Sequence, residues 1–366
     1  MKLLPIKEPE ATSSSHQATI FSILKNYDDG LSWLANNYIQ LFCLKNLYLA
    51  NETRKGTLDY YYNEYGDWSL FELSSNPLLQ YSLLDYQFLN ELIKNKNIDI
   101  AKLLMDAIDN NQYIYMGIDK FYINYYNQYN KCHSGHHLFI NGYNPSQKYF
   151  ITHDNFKGGK YCERNISFET IKAAFYSLLG NQLLQEEAYV GGIAFIKYKV
   201  RNWHQKLPNM FSTNLSKIIL SIKEYLMYPE LCARFNNNYN YTFGIECYKE
   251  LENLILIDGF TLHTDVDFRA FCCMRDHKKI MVFRFKHIEL KYHCLLTYYI
   301  QHMEEIEHEL SLIIMLIIKY NINYKQNTLY KTITKLNNVK QKELQLLNQF
   351  VKEMEATNGI CNNSML

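Results

Sequence analysis

Residues 136–154 read HHLFINGYNPSQKYFITHD, and this stretch decides the fold of the first half of the chain. Two runs of β-type residues flank the Gly-Tyr-Asn-Pro segment at 142–145, which is a strong turn signal. The stretch therefore predicts an antiparallel hairpin. Because the first strand of such a hairpin starts beside the end of the second, we expect His136 to lie within reach of Asp154.

Helical and strand patterns surround this hairpin. Apolar residues recur at helical spacing over 18–24, directly after the serines at 13–15. Since a serine hydroxyl suits an N-cap, we predict a helix of about three turns that begins near Ser15. The remaining patterns of this half predict strands over 113–119 and 189–200, and helices over 78–93, 98–107 and 168–179.

The character of the chain changes beyond residue 202. Apolar residues at three- and four-residue steps predict helices over 215–228, 248–257, 267–320 with one break, and 329–356. We therefore predict an α+β fold with two parts. An α+β domain spans residues 1–204, and a helical domain or extension spans residues 205–366.

The composition argues against several classes of protein. The chain has 366 residues, 48% of them hydrophobic, and a net charge of +1, which excludes disorder and gives no global attraction to nucleic acid or anionic membranes. The best apolar run, 310–318, is shorter than the roughly 18–20 residues that span a bilayer. This run packs either within the chain or against a second copy of it, so the sequence is compatible with both a monomer and a homodimer. The odd number of cysteines, nine, favours a reducing compartment, and we expect a cytoplasmic protein.

Three residues are candidates for catalysis. A carboxylate such as Asp154 can orient the imidazole of His136 and stabilise its protonated form, although such pairs are also common in structural networks. Ser15 is placed where the helix dipole and free backbone amides favour a nucleophile and a developing oxyanion. The alternative for Ser15 is a plain N-cap.

These elements resemble the papain-like proteins of the butirosin-biosynthesis-H type, including the closthioamide-type enzyme that forms amide bonds. In that family a catalytic cysteine precedes a helix with an Ile-Leu or Leu-Leu pair. A histidine heads a strand that ends in Gly-Tyr-Asp or Gly-Tyr-Asn, and an aspartate ends the next strand. The matching residues here are Ser15 before Ile23-Leu24, His136 before Gly142-Tyr143-Asn144, and Asp154, with further similar segments at 118–122, 241–248 and 267–284.

The resemblance implies a papain-like fold, no bound cofactor, and acyl transfer in secondary-metabolite (antibiotic or nonribosomal peptide) biosynthesis. Residue 15 would take an acyl group from the phosphopantetheine arm of an acyl or peptidyl carrier protein, and a small amine acceptor would then form an amide. His136 would act as base, Asp154 would orient it, and the backbone amides of Ser15 and His16 would hold the oxyanion. The choice of His136 over His137 rests on the six-residue step to Gly142, and both stay open.

One departure from the family pattern concerns the nucleophile. Ser15 stands where the family has cysteine, and Cys43 lies in an apolar run typical of a core. Ser15 is an engineered Cys→Ser exchange, a natural serine nucleophile, or a mark of lost activity. A thiol ionises near about pH 8.5, whereas an alcohol must lose its proton during attack. Because the rest of the pattern is intact, we favour an engineered exchange that leaves an inactive form.

Two other functions fit the same pattern. One is a cysteine peptidase or thioester hydrolase, which would use water as the acceptor. The other is a non-catalytic module that binds a carrier protein. The lysines over 331–342 either meet an acidic carrier protein or form an ordinary soluble helix face.

Two histidine clusters invite a metal interpretation. The first is the Cys- and His-rich segment 132–137, and the second is 302–308 on a predicted helix. The alternatives are a polar turn or catalytic imidazole for the first, and a solvated helix face for the second. Strand alternation would point His136 and His137 to opposite faces, which opposes a shared ion. We predict no metal site.

Overall fold

The computed structural model describes residues 1–44, 58–61, 72–199, 212–227 and 241–363. Over these residues the protein is mixed α/β, with a helical C-terminal portion. The chain forms two compact units. The first unit comprises Met1–Asn26 and Glu72–Asn202, and the second comprises Tyr27–Phe71 and Trp203–Leu366.

The elements of regular structure are numbered here in chain order. They are β1 (Lys2–Leu3), α1 (Ser15–Leu24), α2 (Asp28–Asn36), β2 (Gln40–Leu44), β3 (Leu58–Tyr61), β4 (Leu79–Asp85), α3 (Tyr86–Lys96), α4 (Ile100–Asp109), β5 (Tyr113–Asp119), β6 (Gly135–Asn144), β7 (Tyr149–Asn155), β8 (Tyr161–Ser167), α5 (Phe168–Leu179), α6 (Gln182–Ala188), β9 (Gly192–Tyr198), α7 (Leu215–Leu226), β10 (Tyr241–Phe243), α8 (Cys247–Leu254), α9 (Arg269–Tyr292), α10 (Thr297–Asn323) and α11 (Gln326–Asn363).

The first unit is built on an antiparallel sheet. Its strand order is β4-β9-β5-β6-β7-β8, and β1 pairs with the C-terminal end of β6. The predicted hairpin is confirmed as β6 and β7. Its turn is closed by Asn144, whose side-chain oxygen accepts hydrogen bonds at 3.1 Å from the backbone amides of Ser146 and Gln147, as an Asx turn requires.

Helix α1 packs against β6 and β7. Every residue of α1 except His16 is buried. Apart from Gln17 these buried residues are apolar or small, which is typical of a core helix. The backbone of Ser14 is extended, and its carbonyl accepts the first helical hydrogen bond from Ala18 at 3.0 Å. The predicted helix start near Ser15 is confirmed.

The second unit combines a three-stranded sheet, ordered β10-β2-β3, with helices. The long helical pattern predicted over 267–320 is confirmed, with its one break between α9 and α10. No helix in the described part of the chain combines the length and the apolar character needed to cross a membrane.

The structure corrects two predictions. Residues 78–93 are not one helix, because β4 precedes α3 and pairs with β9 along its whole length; this tertiary pairing overrides the local helical pattern. The division at residue 204 lies close to where the chain enters the second unit for the second time, but residues 27–71, predicted as part of the first domain, belong to the second unit. The reason is that β2 pairs with β10, a partner far away in sequence.

Candidate active site

Ser15 is the first residue of α1, and its position follows from the burial of that helix. The residue is 6% exposed. Its carbonyl accepts a hydrogen bond from the Thr19 hydroxyl at 2.8 Å. The backbone amides of Ser15 and His16 lie in the first turn, where no intrahelical acceptor exists for them. The start of α1 therefore presents a hydroxyl and amide donors together.

The imidazole that faces Ser15 belongs to His137. The Ser15 Oγ lies 2.5 Å from His137 Nε2, and the backbone of Ala188 accepts a hydrogen bond from the same ring. Since the Ala188 carbonyl requires an N–H donor, the other ring nitrogen is free to accept the Ser15 proton. Helix α6 comes this close because a Cβ at Gly135 would lie 1.9 Å from the Leu184 carbonyl oxygen, so only glycine fits there.

The predicted contact between His136 and Asp154 is present. His136 Nε2 lies 2.8 Å from Asp154 Oδ2, and the Tyr126 hydroxyl donates to the same carboxylate oxygen. The pairing of Ile140 with Thr152 explains the contact. His136 precedes Ile140 by four residues and Asp154 follows Thr152 by two. Because the strands are antiparallel and side chains alternate, both residues lie on the same side of that pair and on one face of the sheet. Asp154 is fully buried.

Strand alternation predicts that the side chains of His136 and His137 point to opposite faces of the sheet. The structure contradicts this prediction. Their rings stack with centroids 4.5 Å apart. Both histidines pair in register with β5, while the ladder between β6 and β7 begins only at Phe139 and His153. The structure thus joins Ser15, His137, His136 and Asp154 in one row, and it places His137 rather than His136 against Ser15.

The charges of the row follow from burial and from its contacts. Burial, followed by the charge of His136, lowers the pKa of His137 to about 3, so this ring is neutral near pH 7 and free to accept a proton. Burial raises the pKa of Asp154, but the charge and hydrogen bond of His136 outweigh it and leave the pKa below its ordinary value. Burial and the Asp154 charge hold the pKa of Tyr126 well above its usual range. Asp154 is therefore ionised, and Tyr126 keeps the proton that it donates.

A cavity of about 390 Å³ opens beside the row. The described residues that line it belong to the first unit, and they are His16, Glu72, Leu73, Ser74, Tyr81, Tyr115, His137, Tyr189 and Val190. The volume lies in the range of small-molecule sites. The ring of Tyr115 stacks on His137 with centroids 4.9 Å apart, so the cavity reaches the ring that faces Ser15.

The metal candidates have other partners. In the segment 132–137, His133 Nδ1 lies 2.6 Å from Asp119 Oδ2. In the segment 302–308, the His302 ring bonds to the Tyr298 carbonyl at 2.8 Å. Over the residues that the structure describes, no group of three or more His, Cys, Asp or Glu side chains is arranged to hold a metal ion.

Two further predictions concern Cys43 and the lysines over 331–342. Cys43 is fully buried, as predicted for a core residue. Of the lysines over 331–342, Lys340 pairs with Glu246 at 2.7 Å and Lys342 pairs with Glu309. The positive charge of that face is therefore partly neutralised within the second unit.

The sequence reasoning missed Tyr126 and Tyr115 and did not select His137. The sequence did contain a signal for His137, since two adjacent histidines stand at the start of the strand. Which of the two faces Ser15 depends on where α1 packs. Tyr126 lies in the connection between β5 and β6, and no spacing rule links it to Asp154. No family model matches the chain, and no curated protein matches it.

Proposed function

We propose that the first unit catalyses acyl transfer through a covalent acyl-enzyme at residue 15, on a papain-like α+β arrangement. The observation that carries the proposal is the contact of 2.5 Å between Ser15 Oγ and His137 Nε2 at a helix N-terminus. A nucleophile within hydrogen-bond reach of a base is the geometry that covalent catalysis needs. The cavity beside it offers room for a substrate.

The first half-reaction forms the acyl-enzyme. The Ser15 oxygen attacks the carbonyl carbon of a thioester while its proton moves to His137 Nε2. The carbonyl oxygen becomes an oxyanion, which the amides of Ser15 and His16 stabilise. When the tetrahedral intermediate collapses, the C–S bond breaks and the departing thiolate takes the proton from His137. The result is an ester at Ser15 and a free thiol.

The second half-reaction releases the product. A neutral amine attacks the ester carbonyl and passes a proton to His137, which returns it to the Ser15 oxygen as the C–O bond breaks. The product is an amide, and Ser15 regains its hydroxyl. Water in place of the amine would give a free acid, so amide formation depends on the acceptor outcompeting water.

His136 and Asp154 act as positioning residues in this scheme. The ionised Asp154 fixes the His136 ring, and His136 stacks on His137. A proton on His136 disfavours one on His137 because like charges repel. The pair therefore keeps His137 neutral and oriented toward Ser15 in the resting protein. This assignment gives His137 the role of base that the sequence alone suggested for His136.

The finer part of the proposal comes from the family resemblance. It takes the phosphopantetheine arm of an acyl or peptidyl carrier protein as the thiol, a small amine as the acceptor, and cytoplasmic secondary-metabolite biosynthesis as the setting. In that family the nucleophile is a thiolate, and an alcohol is the weaker nucleophile. We therefore expect the Ser15→Cys protein to carry out both half-reactions and the Ser15 protein to be largely inactive in comparison.

The test compares the Ser15 protein with a Ser15→Cys variant. Both are incubated with an acylated carrier protein and with a small N-acetylcysteamine thioester, with and without a primary amine. Intact-mass spectrometry reports the adduct, and peptide mapping locates it. We expect an acyl adduct at residue 15 and, with amine present, an amide product.

Three other results are distinguishable. Free acid without dependence on amine would assign a hydrolase. Carrier binding that is equal for Ser15 and Ser15→Cys, with no adduct from either, would assign a binding module. No adduct and no binding with any thioester would overturn the proposed function.

A further inference from the structure

The cavity beside the row has an unusual balance of charge and aromatic surface. Three of its lining residues are tyrosines, Tyr81, Tyr115 and Tyr189. Among the described residues that line it, Glu72 is the one carboxylate, and none is a lysine or an arginine. A carboxylate among aromatic faces attracts cations, because a ring face is negative and adds to the negative charge.

The charge of Glu72 reaches the inner part of the cavity. It raises the pKa of Tyr81, after burial as the larger cause, and it also contributes to the raised pKa of Tyr115. Tyr115 is the ring that stacks on His137. A positive group bound near Glu72 therefore lies in the same cavity as the base that faces Ser15.

The ring of Tyr189 adds an exposed aromatic surface at this cavity. It is 89% exposed, more than is usual for tyrosine, a residue type of intermediate burial. Its backbone is left-handed, with φ 58° at the end of α6. The neighbouring Ala188 holds the His137 ring. The end of α6 thus supplies both an aromatic wall and the hydrogen bond that orients the base.

We propose that this cavity binds a positively charged group on the acyl part of the substrate, with Glu72 as its counter-ion and the tyrosine rings as its walls. The inference rests on the proposed function, since it assigns the substrate class of the same site. The ligand is an ammonium group separated from the thioester by a spacer that fits the cavity.

The acyl part, rather than the amine acceptor, is the bearer of this charge. A carboxylate stabilises the protonated form of a nearby amine. A protonated amine has no lone pair and cannot attack the acyl-enzyme, so Glu72 would hinder an acceptor whose reacting nitrogen it held. An ammonium group on the acyl chain takes no part in bond formation, and its charge favours binding through both half-reactions.

The test uses thioesters that differ only in charge. The rigid pair is the N-acetylcysteamine thioesters of 4-(aminomethyl)benzoate and 4-ethylbenzoate, and the flexible pair is those of 6-aminohexanoate and heptanoate. In each pair an ammonium group replaces a methyl group of similar size. Acylation of the Ser15→Cys protein is followed by intact mass. We expect the ammonium thioester of at least one pair to react about tenfold faster, since Glu72 is exposed and its charge is partly screened.

Two variants assign the preference to one side chain. Glu72→Gln in the Ser15→Cys background removes the charge and keeps the shape, so it should abolish the preference for the ammonium thioester within each pair. Glu91→Gln is the matched control, because Glu91 is an exposed carboxylate on α3 that does not line the cavity. It should retain the full preference.

Equilibrium binding separates this inference from the proposed function. Calorimetric titration of the unreactive amides 4-(aminomethyl)benzamide and 4-ethylbenzamide into the Ser15 protein needs no chemistry. Tighter binding of the ammonium amide, lost in Glu72→Gln, supports the cation site even if no thioester reacts. Adducts that form equally fast within both pairs, or equal binding of the two amides, would overturn it.

Discussion

The two units each contain a cluster of histidine, carboxylate and tyrosine, and the clusters differ in access. In the first unit the row of Ser15, His137, His136 and Asp154 borders a cavity. In the second unit Lys278 and Glu343 pair at 2.6 Å with both side chains fully buried. Clusters of similar residue types therefore occur in both units, but the cluster of the first unit borders a cavity and the pair in the second unit is closed to solvent.

The buried cluster of the second unit is a closed network. Lys278 also donates to His277 Nδ1 at 2.9 Å, and His277 Nε2 donates to the Ile39 carbonyl at 2.9 Å. The Tyr248 hydroxyl donates to the other oxygen of Glu343 at 2.7 Å. Each ring nitrogen and each carboxylate oxygen has a partner, so nothing is left to act on a ligand. In the first unit, by contrast, the buried Asp154 Oδ1 has no partner among the described residues.

The largest expected effect comes from removing the base. His137→Gln in the Ser15→Cys background should slow adduct formation by about 10³-fold, because glutamine cannot accept the nucleophile's proton. Adduct mass against time is the measurement. His153→Gln is the matched control, since His153 is a buried histidine of the same sheet that bonds to Asn141. Equal rates for the two variants would contradict the role of His137.

The next effect tests the closed network. Lys278→Met leaves Glu343 buried without its cation and should lower the free energy of unfolding by about 3–5 kcal/mol. Lys286→Met is the control, because the pair of Lys286 with Glu304 is about half exposed and should contribute less than about 1 kcal/mol. Denaturant titration measures both. Equal losses would show that burial does not distinguish these pairs.

A smaller effect is expected from the positioning pair. Asp154→Asn replaces the ionised acceptor of His136 and Tyr126 and should slow adduct formation by about 10–100-fold, the size expected for loss of a hydrogen bond to a charged group. Asp106→Asn, on the exposed side of α4, should have no effect. A loss as large as that of His137→Gln would instead identify His136 and Asp154 as the direct base pair.

The smallest effect concerns pH and stability. The folded protein holds the pKa of His137 at about 3, whereas an unfolded chain binds this proton near about pH 6.5. Between these values the unfolded state binds more protons, so the free energy of unfolding decreases as the pH falls. In His137→Gln this decrease should be shallower by up to about 1 kcal/mol per pH unit. An unchanged slope in denaturant titrations from pH 7 to 4 would contradict the low pKa.

Local signals predicted much of the fold. Helix α1, strand β5, the hairpin of β6 and β7, and helix α5 follow from periodicity, capping and turn residues within each segment. Strand β4 was missed because its partner β9 lies far away in sequence. The placement of residues 27–71 in the second unit depends on a similarly distant pairing, between β2 and β10.

The candidate site was likewise predictable only where a local pattern determines the position of a residue. The approach of His136 and Asp154 follows from hairpin register, and the helix start at Ser15 follows from a local pattern. Which histidine faces Ser15 depends on how α1 packs against the sheet, and the bond from Tyr126 to Asp154 depends on the path of a connecting loop. Neither is encoded in residue spacing.

The most direct test of the pair formed by residue 15 and His137 needs no substrate. In the Ser15→Cys protein, the rate of iodoacetamide alkylation at position 15 is measured against pH by peptide mapping, which separates this thiol from the other cysteines. We predict that between pH 6 and 7 the thiol at position 15 reacts faster than an unpaired thiol, whose pKa is about 8.5, because the neutral His137 takes its proton as the sulfur attacks. We predict that His137→Gln slows this reaction, whereas His277→Gln leaves its rate unchanged. A rate at position 15 that is the same in all three proteins would contradict the pairing.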